Sequence, residues 1–152
     1  MFRRWLSACC LILLLNGCGS DDPAEELRNL IDEAEIAAED RQTSYFRRLL
    51  SDAYSDAHGN DSDRMIDLIR GYFLTHQSVE IFTRVQTVDL IGTDVAEISV
   101  VAGVLGQRSG AAFLGGFEGQ LYDLELEFVR RSGDWQVIGA GWERSLETWD
   151  ND

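Results

Sequence analysis

The sequence predicts an α+β domain with N-terminal helices packed on an antiparallel sheet. Two features of the chain support this fold class. In the N-terminal half, apolar residues recur at the spacing of an amphipathic helix, beginning with Leu27, Leu30 and Ile31. After His76 the apolar period becomes two, and β-branched residues are frequent. A chain in which the helices precede the strands is expected to place those helices on one face of an antiparallel sheet.

Residues 1–17 have the features of a secretory signal peptide. Arg3 and Arg4 form its basic segment, and an apolar segment follows that is too short to cross a bilayer as a helix, which takes roughly 20 residues. Leu15-Asn16-Gly17-Cys18 resembles a bacterial lipobox. This resemblance implies cleavage before Cys18 and attachment of acyl chains such as palmitate to it. Gly19 in the next position favours the outer membrane, facing the periplasm, over the inner membrane.

The chain has 152 residues, enough for one domain with one core. We expect the lipidated Cys18 and a short linker in residues 18–24, the domain in residues 25–145 and an acidic tail in residues 146–152. The formal net charge is -14, and every basic residue is Arg. So acidic a chain is not expected to bind nucleic acid. Cleavage would remove Cys9 and Cys10, which leaves no thiol for a disulfide, for catalysis or for a metal site.

The helical half is expected to contain three helices. The first begins near Pro23, and the second covers about Ser44 to Ala53. The turn signal around Gly59 separates these from a third helix, which Ser62 is expected to cap.

Four strands joined as a meander are expected after His76. They cover residues 79–91, 95–105, 120–131 and 135–143. Alternate residues of the second of these should be buried on one face of the sheet, and Ser132-Gly133-Asp134 is a hairpin turn. The glycine-rich segment 106–119 is expected to be a long loop. In the second strand, the residues expected to be buried on one face are Ala96, Ile98, Val100, Ala102 and Val104.

Two segments resemble the nuclear transport factor 2-like superfamily, whose members include SnoaL-like polyketide cyclases and ketosteroid isomerases. One is residues 49–56 with Gly59 and the following helix. The other is the hairpin from Phe128 to Ile138, with Trp135 just after its glycine turn and Trp142 at its end. The resemblance implies a cone in which a bent sheet wraps around helices and leaves a pocket at its mouth.

The residues expected to line that pocket are aromatic or charged. Most aromatic residues of such a domain simply form its core, but a cone leaves a concave apolar site, which is where a ligand is expected by default. Asp56 is the acid placed like a pocket-mouth residue of the superfamily, and Arg84 is a candidate polar anchor. The candidate pocket residues are Phe46, Tyr54, Asp56, Tyr72, Phe82, Arg84 and Trp142.

The isomerase pattern of a buried carboxylate base with an oxyanion hole does not transfer to this chain. The acids Asp123, Glu125 and Glu127 alternate with apolar residues and are expected to face away from the pocket. We therefore assign no catalytic residue and no cofactor. His58 and His76 are separated by a whole helix, so no metal is expected.

The predicted function is non-catalytic binding of a small apolar ligand or of an envelope protein, on a domain held at the membrane through lipidated Cys18. Two alternatives remain. One is an isomerase- or cyclase-like enzyme that uses the cone pocket. The other is a structural envelope adaptor that acts through the sheet face, where the acidic row of Asp123, Glu125 and Glu127 would attract a basic partner and repel a second copy of itself.

Overall fold

The computed structural model describes residues 22–108 and 117–145. The expectations for the leader with Cys18, for residues 109–116 and for the tail 146–152 lie outside these ranges. In the part of the chain that is described, no helix is long and apolar enough to cross a bilayer. The elements are α1 Pro23–Glu39, α2 Thr43–Leu49, β1 Leu50–Asp56, α3 Ser62–Thr75, β2 His76–Ile91, β3 Val95–Arg108, β4 Phe117–Arg131 and β5 Asp134–Arg144.

Aspartates cap the N-termini of the two longer helices. The Asp22 carboxylate accepts a hydrogen bond from the Ala24 backbone N–H at 3.0 Å, and Pro23 occupies the first helical position of α1. The Asp61 carboxylate accepts from the Arg64 N–H at 2.9 Å. The predicted cap of α3, Ser62, is instead its first helical residue, because the side chain that reaches the free N–H is one position earlier.

The second helix is shorter than the sequence predicts. It ends at Leu49, and the chain continues as strand β1, which pairs in parallel with β5. The apolar spacing from Tyr45 to Ala53 fits a helix, but Leu50 has extended backbone geometry. The ladder with β5 is a non-local interaction, and such interactions override local propensity.

The five strands form one curved sheet in the order β1-β5-β4-β3-β2. Strands β2 to β5 make the predicted antiparallel meander, while β1 makes the sheet mixed. The Ser132-Gly133 turn has φ of 54° and 96°, as a two-residue type I′ hairpin requires. The expected loop 106–119 is strand at both ends, because β3 extends to Arg108 and β4 begins at Phe117.

Two clusters of buried side chains hold the helices on the concave face of the sheet. The larger joins α1 to the ends of β3, β4 and β5 and includes Leu27, Ile98 and Phe128. The smaller joins α1, α3 and β2 through Ala38, Phe73 and Val79. The predicted buried face of β3 is confirmed from Ala96 to Ala102.

Helix α1 also covers the outer edge of β2. The Glu39 carboxylate accepts a hydrogen bond from the Ile81 N–H at 3.3 Å, and the Glu35 carboxylate accepts from the Thr83 N–H at 2.8 Å. These two side chains take the place of a further strand at this point, so the Ile81 and Thr83 N–H groups, which would otherwise be open to strand addition, are satisfied.

Candidate ligand cavity

A cavity of about 710 Å³ lies between the helices and the concave face of the sheet. Ile31 and Leu126 link its wall to the larger core cluster, and Phe73 and Val79 link it to the smaller one. The cavity is therefore the space between the two clusters that side chains leave unfilled. Its volume is within the range of roughly 300–1,000 Å³ that is usual for small-molecule sites.

Apolar side chains form most of the lining. They come from α1, α2, α3 and four strands, so the wall is shared by nearly every element of the fold. The apolar lining residues are Ile31, Ala34, Ala38, Phe46, Met65, Ile69, Phe73, Val79, Ile81, Val100, Ala102, Val104, Leu124, Leu126 and Trp142. A wall of this composition favours a ligand that is itself largely apolar, because burial removes apolar surface from water.

Of the seven candidate pocket residues, Phe46, Tyr72 and Trp142 line the cavity. Trp142 borders it on β5 and also stacks on the His58 ring, with centroids 4.5 Å apart. Helix α3, through Tyr72, and strand β5, through Trp142, therefore both contribute to the wall.

The other four candidates are not among the lining residues. Tyr54 is buried within the larger core cluster. Phe82 and Arg84 alternate with the lining residues Ile81 and Thr83 along β2, so their side chains point to the outer face of the sheet. Phe82 is accordingly 49% exposed and borders a smaller groove.

Asp56, the fourth, organises the turn between β1 and α3. Its carboxylate accepts from the His58 N–H at 2.8 Å and from the Asn60 backbone and side-chain N–H groups at 2.9 and 2.8 Å. Burial alone would raise the pKa of Asp56, but these hydrogen bonds outweigh it and lower the pKa below 3.8. Burial together with the neighbouring Asp56 raises the pKa of Tyr54. The pair is a carboxylate beside a neutral phenol, in the core and away from the cavity.

His76 also lines the cavity, although it was not among the candidate pocket residues. Its ring stacks on the Tyr72 ring at 3.9 Å, and its Nδ1 lies 2.9 Å from the Tyr72 carbonyl oxygen. A carbonyl oxygen can only accept, so this contact assigns a proton to Nδ1, and in the neutral form of the ring Nε2 would then be an acceptor. Gly106 makes room for the pair, since a Cβ there would lie 2.5 Å from the Tyr72 hydroxyl oxygen.

Glu35 is the second lining residue that sequence reasoning missed. One of its carboxylate oxygens accepts from both the Thr83 N–H at 2.8 Å and the Thr83 hydroxyl at 2.7 Å. The sequence does indicate that Glu35 faces inward, because it follows Ile31 by four residues and precedes Ala38 by three. This spacing places an acid within the apolar stripe of α1.

The far side of the cavity carries Gln120 and Tyr122 of β4, and the Tyr122 hydroxyl donates to the Gln120 side-chain oxygen. The acids of the same strand turn the other way, as predicted. Glu125 and Glu127 are exposed, and Glu125 accepts from the Ser99 hydroxyl at 2.9 and 2.8 Å. Among the described residues, no three His, Cys, Asp or Glu side chains are grouped to hold a metal ion.

Helices enclosed by a bent sheet, with a cavity left between them, define the cone class of α+β proteins. Within this class the chain has the nuclear transport factor 2-like fold, which confirms the fold predicted from the sequence. A protein of that superfamily from Salmonella enterica serovar Typhimurium matches 82% of this chain and 92% of its own, with a TM-score of 0.68 and 9% identity.

Two other solved structures of similar shape bear the names of enzymes. A scytalone dehydratase candidate from Novosphingobium aromaticivorans has a TM-score of 0.72 and 8% identity over 84% of this chain and 87% of its own. A type 2 hexachlorocyclohexane dehydrochlorinase has a TM-score of 0.65 and 13% identity over 79% and 83%. Identities this low show a shared fold alone. No family model and no curated protein matches the sequence.

Proposed function

We propose that this domain binds one small, largely apolar molecule in its cavity without transforming it. The observation that carries this proposal is the cavity of about 710 Å³ with its mostly apolar wall. A few polar groups on such a wall are typical of binding sites, where they fix the orientation of the ligand. Asp56 offers no base for catalysis there, since it is not among the lining residues and its carboxylate accepts three N–H groups outside the cavity.

We further propose that the domain is held at the outer membrane, facing the periplasm, by acyl chains on Cys18. Support comes from the sequence, in which the lipobox-like Leu15-Asn16-Gly17-Cys18 follows a basic and apolar leader. Helix α1 begins at Pro23, so only a few residues would separate the lipid from the domain. A binding cavity so close to the bilayer suits a ligand that partitions into membranes.

The proposed binding can be tested by filling the cavity. The Ala102 side chain is 5% exposed and faces the cavity, so Ala102→Phe places a ring there, whereas Ala53 is exposed on β1. We expect the chain from Gly19 onwards to bind the neutral reporter N-phenylnaphthylamine with a rise in its fluorescence. Ala102→Phe should weaken this by about tenfold or more, equivalent to about 1.4 kcal/mol. Ala53→Phe is the matched control. Undiminished binding by a folded Ala102→Phe protein would refute the proposal.

A second candidate function is isomerase- or cyclase-like catalysis in the same cavity. One observation favours it: His76 lies on the cavity wall with Nδ1 against the Tyr72 carbonyl oxygen, so the neutral form of its ring would offer Nε2 as an acceptor, which a general base requires. The molecules that copurify with the wild-type protein and with His76→Gln separate the two functions. The same molecule in both, by mass and chromatographic retention, supports binding. A different molecule in the variant supports catalysis, because an inactive protein would retain the substrate.

A further inference from the structure

One inward-facing row of the sheet combines polar groups around a gap in the cavity wall. Thr83 of β2 pairs with Ala102 of β3, and Ala102 pairs with Tyr122 of β4. All three line the cavity, and Glu35 of α1 lies against Thr83. Adjacent strands are about 4.8 Å apart, so Thr83 and Tyr122 are separated by about 10 Å of sheet. Because Ala102 is small, the space above it is open, with polar groups on both sides.

The hydrogen atoms of these polar groups are already committed to partners. The Thr83 hydroxyl donates to Glu35, and the Tyr122 hydroxyl donates to Gln120. The Glu35 carboxylate has no proton to donate when ionised, and its second oxygen keeps its full capacity to accept. Glu35, Thr83 and Tyr122 thus present oxygen lone pairs, and no free donor, to a molecule above Ala102.

A second feature of the row is its charge. Glu35 is the one carboxylate among the described lining residues, and no arginine is among them. An apolar wall weakens the screening of charge, so the Glu35 carboxylate repels a negative group in the cavity more strongly than it would in water. A positive group gains from the same effect, and the carboxylate offsets part of the cost of removing that group from water.

We infer that the cavity selects a molecule whose apolar body ends in an amine, and that it rejects the corresponding carboxylate. The amine lies above Ala102 and donates to Glu35 and to the Tyr122 oxygen. The lining also holds neutral donors, namely the Gln120 amide, whose oxygen accepts from the Tyr122 hydroxyl, and the Tyr72 hydroxyl on α3, but Glu35 is the one carboxylate among the described lining residues and sets the preference for a positive group. The inference rests on the proposed function and names the chemical class of the ligand for that same site.

Three probes of one shape test this inference, namely naphthylmethylamine, naphthylmethanol and naphthoate. Each competes with N-phenylnaphthylamine for the chain from Gly19 onwards, with the ionic strength held constant. We expect the amine to bind about tenfold or more tighter than the carboxylate, equivalent to about 1.4 kcal/mol, with the alcohol between them. A carboxylate that binds as tightly as the amine overturns the inference, even if every variant fails to fold.

Glu35→Gln separates this site from the negative charge of the whole protein. The glutamine oxygen can still accept from Thr83, so the edge of β2 stays covered. Glu39→Gln is the matched control, because Glu39 accepts from the Ile81 N–H on the same helix but does not line the cavity. We expect Glu35→Gln to bring the ratio of amine to carboxylate affinity close to one, and Glu39→Gln to leave it unchanged.

Equal changes of that ratio in both variants would show an effect of overall charge and refute the inference. Tyr122→Phe is a second variant, which should weaken the amine and the alcohol and leave the carboxylate unaffected. Loss of reporter binding by the wild-type protein would refute the proposed function itself. Reporter binding without discrimination among the three probes would refute only the choice of an amine.

Discussion

Replacing Trp135 should show how strongly the last hairpin is tied to the first helix. The ring is 6% exposed and packs in the larger core cluster, and its N–H donates to a Glu26 carboxylate oxygen at 3.0 Å. Arg130 binds both oxygens of the same carboxylate, at 2.9 and 2.7 Å, and its guanidinium carbon lies 5.4 Å from the centre of the Trp135 ring. One side chain therefore contributes core volume and one bond of a small polar network.

The two contributions can be separated by two substitutions. Trp135→Ala removes both, and we expect it to lower the free energy of unfolding by about 3–5 kcal/mol, the range for truncating a large buried aromatic residue. Trp135→Phe keeps most of the ring and removes the N–H donor. Glu26 retains Arg130 as a partner, so this loss should be at the low end for a hydrogen bond to a charged group, about 1.5 kcal/mol.

Urea unfolding followed by circular dichroism measures both values. The slope of the free energy of unfolding against urea concentration should be the same in all variants, which shows that each change acts on stability alone. Trp142→Ala is the matched control, since Trp142 already borders the cavity on β5 and should cost less. A Trp135→Ala protein within roughly 0.5 kcal/mol of wild type, as for an ordinary surface substitution, would refute the placement of this ring in the core.

Four further outcomes are expected. Asp56→Asn should destabilise the domain by about 1–3 kcal/mol at neutral pH, because one amide oxygen cannot accept from all three N–H donors. Because the folded pKa of Asp56 is lowered, its contribution is present above about pH 4 and is lost as the pH falls further, so the urea midpoints of the two proteins should converge in more acidic solution. Burial, and then Glu33, raise the pKa of Tyr45 to about 12, so the stability that Tyr45 contributes is complete below about pH 10 and falls as the pH rises towards 12. The phenolate absorbance of Tyr45 should therefore appear only well above about pH 10. A phenolate signal near about pH 10 that is lost in Tyr45→Phe would contradict this. Gly133→Ala, at φ of 96°, should cost about 1 kcal/mol or more in thermal unfolding although its Cβ would meet no neighbour, and an unchanged melting temperature would exclude strain at this turn. Cys18→Ser should move the protein out of the membrane fraction of the producing cells, and continued membrane association would contradict lipidation at Cys18.

The strands were predictable because alternation along them is strong. On β3 the residues Ala96, Ile98, Val100 and Ala102 are apolar at every second position and all are buried, so the sequence alone defines which face packs on the helices, although Val101 is buried as well. The Ser132-Gly133 turn was predictable because Gly133 readily adopts the positive φ angle that the turn needs, although Ser132 adopts a positive φ as well.

Strand β1 was not predictable from local pattern. Its residues continue the apolar spacing of α2, and what makes them extended is a partner strand far along the chain. The same limit applies to the cavity. Phe82 and Thr83 are both compatible with either face of β2, and only the packing of α1 against that edge decides that Thr83 faces inward.

The pairing of β1 with β5 has a consequence for how the chain reaches its folded state. Leu50 lies opposite Val137 and Asp56 opposite Ala140, so the first strand of the chain can pair only after the last strand has formed. A chain emerging from its N-terminus can form α1 and α3 early, but the sheet cannot be completed until β5 is available. Contacts so distant in sequence slow folding, and the unpaired strand exposes its backbone during the delay. A chain truncated before β5 would leave β1 with no partner, so we expect it to be a substrate for proteases and chaperones.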